Sequence, residues 1–361
     1  MANQTVENLT PLLPLLEQPA FCLGWDGGLV CNAAARELAP ADGNALCAWL
    51  GPAAALWETW DRENALRLTL EINGRDYSLC AEALQDGTLF LLSPVSAPDQ
   101  AYGALAVASQ VLRQPLADLA ALLQPLAERV EDPSLVTRTA AITRQVYRLT
   151  RIAGNLADLE RLRRGEYGLH LQLLDLNGFL APLLQETQAL CASAGRTLTY
   201  KLPAKSVSIQ ADPQLLERAL LNLLSNALKF SPADTPVQFR IRDTQTHVLL
   251  QMCNVCTGGT EFLEAAFHRL DQRGQMPDPR WGIGLGLPLT EAIARLHGGT
   301  LAVETGGNNA AMVTLSLNRR RPLKTPVLES PPPFEYTGGM RRTLVELADL
   351  LPGALYQRHA L

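Results

Sequence analysis

The spacing of hydrophobic positions divides the chain into regions of different period. From Thr10 to about Val95 short alternating runs dominate. Phe21, Leu23 and Trp25 alternate up to the turn residues Asp26-Gly27-Gly28, and Leu29-Val30 resume beyond it. Alternation on both sides of a turn predicts a β-hairpin. The runs Ala65–Ile72 and Tyr77–Leu84 flank Asn73-Gly74-Arg75-Asp76, a second hairpin signal, and Thr88–Leu92 reads as one more strand. These elements predict a small α+β unit with a few strands and short helices.

The period changes at Ala101. Leu112, Leu116, Leu119, Leu123, Leu126 and Val130 are spaced alternately by four and three, the seam of a helix that packs along its length. Glu131-Asp132-Pro133-Ser134 interrupts the pattern, with Ser134 as the expected N-cap of a second helix. That helix carries Ile142, Val146, Leu149, Ile152, Leu156 and Leu159 on one face. Two long helices with a short turn predict an antiparallel hairpin. One hairpin with two apolar stripes calls for a second copy, giving a dimeric four-helix bundle. Packing of both stripes on neighbouring parts of the same chain is the alternative.

From about Gly168 to Asn318 the pattern becomes α/β. Strands are predicted at Thr197–Leu202, Val207–Gln210, Val237–Arg242, Val248–Cys253, Thr300–Glu304 and Met312–Leu317. Helices are predicted at Asn177–Ser193, Pro213–Leu228 and Leu287–Leu296. After Arg319-Arg320-Arg321 a proline-rich stretch runs through Pro331-Pro332-Pro333. Leu344, Leu347, Leu351 and Leu355 then recur at helical spacing and predict a short final helix.

Composition narrows the classes. A chain of 361 residues with 47% apolar and 19% charged residues is globular and long enough for two or three domains. A net charge of −5 argues against coating nucleic acid or anionic lipid. No stretch approaches the length of a membrane span and no basic leader precedes an apolar run, so a cytoplasmic protein is expected. The seven cysteines are scattered, and Cys22, Cys31, Cys47 and Cys80 are expected to be core thiols. Cys253 and Cys256 form a CxxC, but no second pair of zinc ligands accompanies them.

Two segments carry chemistry. In the first, Leu221 to Phe230, the residues Asn222, Asn226 and Lys229 are spaced by four and three and share a helical face. An Asn oxygen can complete a Mg²⁺ shell and a Lys supplies charge for phosphate, although a solvated helix face would read the same way. The second is Trp281-Gly282-Ile283-Gly284-Leu285-Gly286-Leu287, running into a helix. Its alternating glycines let a backbone approach closely, and the helix start presents amides to phosphate. Alone it could be only a tight turn. Together the two segments point to a nucleotide site.

The combination resembles the bacterial sensor histidine kinases, whose N box and G2 box look like these two segments. That resemblance covers about Thr10 to Asn318. It implies a multidomain α+β chain: a PAS-like sensor at 10–97, a helical-hairpin dimerisation domain at 98–166, and a histidine-kinase and gyrase-type ATP-binding α/β sandwich at 167–319. A proline-rich linker and final helix follow at 320–361. It further implies ATP and Mg²⁺ as cofactors, with Asn226 holding the metal, Asn222 beside it and Lys229 reaching phosphate. Gly282, Gly284 and Gly286 would supply the phosphate loop, and Phe267-His268-Arg269-Leu270 sits where the family has its F box. The implied partners are a second copy, a response regulator or another kinase, and an unknown small ligand at the PAS-like unit. Neither nucleic acid nor a membrane span is expected.

The sequence departs from this family at two places. The family's acceptor motif reads Ser-His-Glu-Leu-Arg-Thr-Pro-Leu, and here the stretch is Ser109-Gln110-Val111-Leu112-Arg113-Gln114-Pro115-Leu116. Pro115 costs about 3 kcal/mol inside a helix, so its retention marks the frame as meaningful. Gln110 stands at the phosphoacceptor position, and its amide nitrogen, with a delocalised lone pair, is not a nucleophile. Val111 replaces the carboxylate base. The family's G1 box, Asp-x-Gly-x-Gly, aligns with Asn254-Val255-Cys256-Thr257-Gly258. Asn254 can accept the adenine amino hydrogen without charge assistance. Cys256 in place of glycine adds about 1–2 kcal/mol of strain if its φ is positive. The two changes are expected to weaken ATP binding by about 2–3 kcal/mol, on the order of 30- to 150-fold.

Three functions remain open on the sequence. One is a regulator that has lost self-phosphorylation. The second is a live kinase that phosphorylates a partner's histidine or serine. The third is a ligand sensor whose remaining domains are a scaffold.

Overall fold

The computed structural model describes residues 13–95, 101–129, 132–244, 246–256, 285–306, 309–319, 335–336 and 340–356, with the backbone only at 101–108, 110, 127–128, 163 and 335–336. In the first unit the alternating runs form β1 (Ala20–Gly24), β2 (Leu29–Cys31), β3 (Ala65–Ile72), β4 (Arg75–Leu84) and β5 (Gly87–Pro94), with short helices α1 (Leu46–Leu50) and α2 (Ala54–Thr59) between them. All neighbouring pairs are antiparallel. Phe21 stacks on Phe90 with ring centroids 4.5 Å apart, and Trp57 closes over the same core. Asn32 is buried because it does a structural task. Its Oδ1 accepts from Ala20 N and Ala35 N, while its Nδ2 donates to Leu16 O and Gln18 O.

Helices α3 (Ala101–Arg129) and α4 (Pro133–Arg163) form the antiparallel hairpin. The N-cap of α4 is Asp132, two residues before the expected Ser134. Its carboxylate accepts from Ser134 N at 2.7 Å and Leu135 N at 3.3 Å. Pro133, which has no N–H to satisfy, then fits the first helical position. The apolar stripes are divided. Leu116, Val146, Leu156 and Leu159 are buried, whereas Leu112, Leu119, Leu126, Ile142 and Leu149 remain about half exposed.

The third region contains β6 (Gln172–Asp175), α5 (Leu176–Ser193), β7 (Leu198–Lys201), β8 (Ser208–Ala211), α6 (Pro213–Phe230), β9 (Val237–Asp243), β10 (His247–Val255), α7 (Gly286–Leu296), β11 (Leu301–Thr305) and β12 (Ala310–Asn318). Strand β6 was not expected. It is four residues long, half buried, and exists by pairing with β8. The main sheet runs β11-β12-β10-β9-β7, parallel only between β7 and β9. One face of the region packs through the leucine-rich α6 and α7 onto this sheet and onto α4.

Two features join regions that the sequence presents as separate. The open edge of β3 pairs with β11, Ala65 opposite Thr305 through Leu68 opposite Ala302. Among the described residues this makes one ten-stranded sheet, β2-β1-β5-β4-β3-β11-β12-β10-β9-β7. The second feature is the final segment. Its helix α8 spans only Arg342–Glu346 and gives way to turns. Leu344, Leu347 and Leu351 are still buried together, brought to one side by the turns rather than by a continuous helix.

All seven cysteines are free, and Cys47 is exposed, contrary to its expected place in the core. Among the described residues no helix is long and apolar enough to cross a membrane.

Candidate functional site

Helix α6 begins where Asp212 caps it, accepting from Gln214 N at 3.0 Å and Leu215 N at 3.1 Å, with Pro213 in the first turn. The backbone N–H of Asp212 donates to His297 Nε2 at 2.9 Å, and His297 Nδ1 lies 2.8 Å from Ile293 O. A ring nitrogen that accepts leaves the other to carry the proton, so His297 is neutral and donates to Ile293. This buried imidazole ties the start of α6 to the end of α7 and so fixes the two helices that carry the candidate site.

Asn222 is wholly buried, and among the described residues neither its Oδ1 nor its Nδ2 has a hydrogen-bond partner. A buried carboxamide left without partners carries a penalty of about 1–3 kcal/mol per group, which a bound polar ligand would remove. Asn226, one turn on, is half buried. Gly286 faces both. A Cβ built there would stand 3.2 Å from Asn226 Nδ2 and 3.3 Å from Asn222 Oδ1. A side chain at 286 would crowd both carboxamides, and the approach brings the two sequence segments together in space. Thr290 Oγ1 donates back to Gly286 O at 2.8 Å and holds the first turn of α7.

Beside this cluster a pocket is lined by Leu223, Asn226, Phe230, Met252, Asn254 and Cys256, among others. Asn254 is buried in it, and its Nδ2 donates to Val255 O at 3.3 Å and contacts Cys256 Sγ at 3.5 Å. Cys256 does not take a positive φ, so the strain expected from its replacement of glycine is absent. Burial pushes its thiol pKa up, which keeps it protonated and apolar in character. Gly258, Gly282, Gly284 and the segment Phe267–Leu270 lie outside the described residues.

Lys229, expected to reach phosphate, is half buried with its Nζ 3.6 Å from Asp349 Oδ2 in the final segment. Burial lowers its pKa, an effect that Asp349 opposes. No pattern around Asp349 announced this contact.

Gln110 and Val111 lie on α3, and Val111 is 68% exposed. Three residues along, Arg113 donates to Gly154 O at 3.3 Å and to Asp158 Oδ1 at 2.8 Å. Asp158 also pairs with Arg218 of α6, and Arg218 donates to Asn155 Oδ1 at 2.9 Å. Asp158, Arg218 and Asn155 are all buried, so a charged network links the hairpin to the helix that carries Asn222. Sequence reasoning missed it because its members lie about 40 to 60 residues apart.

Asn222, Asn226 and Gly286 form a cradle of unpaired carboxamide and open backbone whose donor set suits a hydrated Mg²⁺ and phosphate. Among the described residues there is no cluster of His, Cys, Asp or Glu that would hold a metal without such a ligand.

Residues 211–321 match the family model described as histidine kinase-, DNA gyrase B-, and HSP90-like ATPase. The chain is similar to the sensor histidine kinase TmoS of Ectopseudomonas mendocina, 28% identical over 58% of this chain and 22% of that protein. It is also similar to the sensor protein KdpD of Escherichia coli strain K12, 30% identical over 55% of this chain and 22% of that protein. A third relative is the sensor histidine kinase ZraS of Klebsiella oxytoca, 29% identical over 57% of this chain and 43% of that protein. The chain thus spans between about a fifth and less than half of the length of these curated relatives. Among solved structures it is similar to full-length ShkA in complex with AMPPNP, at a TM-score of 0.48 and 18% identity, covering 60% of this chain and 45% of that one. The ATPase model thus covers residues 211–321, and the similarity to sensor histidine kinases extends over a little more than half of the chain.

Proposed function

We propose that this chain is a regulator of the two-component type that binds Mg-ATP weakly and does not phosphorylate itself at the usual position. One pairing of observations carries the reading: an intact Asn222–Asn226–Gly286 cradle on one side and Gln110 with Val111 in the acceptor frame on the other. Transfer of a phosphoryl group to nitrogen needs a free lone pair and a base to take the proton. A carboxamide and an isopropyl group supply neither.

In this reading Asn226 holds Mg²⁺ with Asn222 beside it, Gly286 leaves room for phosphate, and Asn254 accepts the adenine amino hydrogen in the apolar pocket. Bound there, Mg²⁺ would neutralise phosphate charge. Residues 10–97 serve as a PAS-like sensor for a small ligand, 98–166 as the dimerisation hairpin and 167–319 as the ATP-binding domain. The exposed Leu112, Leu119, Leu126, Ile142 and Leu149 support a homodimer through the hairpin, and a response regulator or another kinase is the partner. Leu119→Glu with Leu126→Glu should give monomers in sedimentation.

A second reading, a live kinase acting on a partner's histidine or serine, is favoured by the unpartnered carboxamide of Asn222. The double restoration Gln110→His with Val111→Glu separates the two. Acid-labile phosphate on the wild-type chain after incubation with Mg-ATP overturns the regulator reading. Label on the restored chain alone shows a working nucleotide site that lost its acceptor.

A further inference from the structure

The segment 340–356 lies between α4 and α6, where Leu344, Val345, Leu347, Leu351 and Tyr356 bury into the core and a set of charged contacts surrounds them. Asp349 Oδ1 is 2.6 Å from Arg148 Nε, and its Oδ2 is 2.9 Å from an Arg151 guanidinium nitrogen and 3.6 Å from Lys229 Nζ. Glu346, wholly buried, accepts from Arg151 Nε at 3.1 Å. Arg144 donates to Ala348 O at 2.9 Å and to Asp349 O at 3.1 Å. On the other side Arg342 donates to Glu217 at 2.9 Å and to Gln214 O at 3.2 Å. The segment thereby bridges the hairpin, through Arg144, Arg148 and Arg151, to the helix that carries Asn222, Asn226 and Lys229.

One oxyanion held by two guanidinium groups and an ammonium is the arrangement by which proteins hold phosphate. Burial alone would raise the pKa of Asp349. Arg151, Lys229 and Arg148 outweigh it and hold the carboxyl below its ordinary value, so it stays an anion. A phosphate bound at Lys229 would stand beside this carboxylate in a half-buried space, where the two anions repel each other and compete for the one ammonium.

We propose that Asp349 is an intramolecular competitor for nucleotide phosphate at Lys229, and that the segment 340–356 is a latch which holds the ATPase-like region on α4 until it is displaced. The competition rests on the nucleotide reading of Lys229, whereas the latch contact does not.

The test uses the full chain, its Asp349→Asn variant, and a chain lacking residues from 340 onward. The sequence has four lysines, Lys201, Lys205, Lys229 and Lys324, so amine acetylation can be followed at each by mass spectrometry. Lys201 and Lys205 are exposed and serve as internal references. Release of Lys229 in Asp349→Asn should raise its labelling about fivefold, since a desolvated ammonium freed of its partner is more readily deprotonated. The affinity for Mg-ATP should rise about tenfold, equivalent to about 1.4 kcal/mol, and that for adenosine should not change. The shortened chain should gain at least as much, and Asp349→Asn, which keeps the side-chain volume, answers the question if the shortened chain does not fold. Lys229 labelling at the wild-type rate in Asp349→Asn overturns the latch. Released Lys229 with unchanged ATP affinity overturns the competition alone. Absence of ATP binding by all three proteins at millimolar nucleotide overturns the nucleotide reading, and the competition with it, whatever the labelling shows.

Discussion

The ATPase-like region is joined to the rest of the chain in two ways, built from different materials. Its joint to the first unit includes a backbone ladder, β3 on β11, and its joint to the hairpin adds to an apolar contact a set of buried charged side chains around Asp158 and Arg218. A ladder draws on N–H and C=O groups that every residue except proline carries, so few single side chains decide it. A buried ion network draws on particular groups, and loss of one partner leaves the others charged and desolvated. The ladder therefore suits a permanent attachment, whereas the ionic joint is open to control by whatever competes for its charges.

The largest effect is expected at the ionic joint. Asp158→Ala would leave Arg218 and Arg113 without their shared carboxylate and should destabilise the fold by about 3–5 kcal/mol in urea unfolding. A loss below about 1 kcal/mol would mean that the joint is wet and would remove the contrast with the ladder.

The ladder joint contains one titratable group that tests it from inside. Glu304 on β11 is buried, its Oε2 has no hydrogen-bond partner among the described residues, and burial pushes its pKa from 4.5 up to about 7. Asp61 adds to the rise, while Arg240 and Arg242 oppose it. Between these two pH values the folded chain holds a proton that the unfolded chain has lost. Stability should therefore fall as pH rises through that window, by about 3 kcal/mol in all. Glu304→Gln should remove this component, seen as a smaller difference between unfolding at pH 5 and pH 8 than in the wild type. An unchanged pH dependence would mean that Glu304 is hydrated and that the strands part at that point.

Smaller effects should follow where side chains only decorate the ladder. Arg67 on β3 donates to Thr305 Oγ1 at 2.8 Å across the joint, and Arg67→Ala should cost about 1 kcal/mol. Asp76 reaches Arg295 at 2.9 Å from the same side, but the pair is 38% and 36% exposed. Asp76→Ala should cost less than about 1 kcal/mol and the loss should shrink with added salt. A larger effect at Asp76 than at Asp158 would invert the comparison.

Much of the local structure was legible in the residue pattern. The helix that became α6 was expected at 213–228 and runs to Phe230, because its cap, its first-turn proline and its leucines are all local signals. The approach of Asn222 and Asn226 to Gly286 was readable as two segments that make sense only together. The pairing of β3 with β11 was not readable, since a strand edge carries no mark of which distant edge it will meet. Nor was Asp349, whose importance comes from Arg148, Arg151 and Lys229, all of them more than a hundred residues away. The cap of α4 was missed by two residues because Asp, Pro and Ser in succession offer several acceptable caps.

The sequence by itself determined which chemistry is possible. An amide at Gln110 and a hydrocarbon at Val111 have the same electronic properties in any fold. Tertiary structure alone decided how the charges are spent. Asp349 is an ordinary carboxylate until the chain returns it to α4 and α6, where low exposure and three cations turn it into an anion facing Lys229. Charge interactions depend on distance and solvent exposure, and both are properties of the folded chain rather than of the order of its residues.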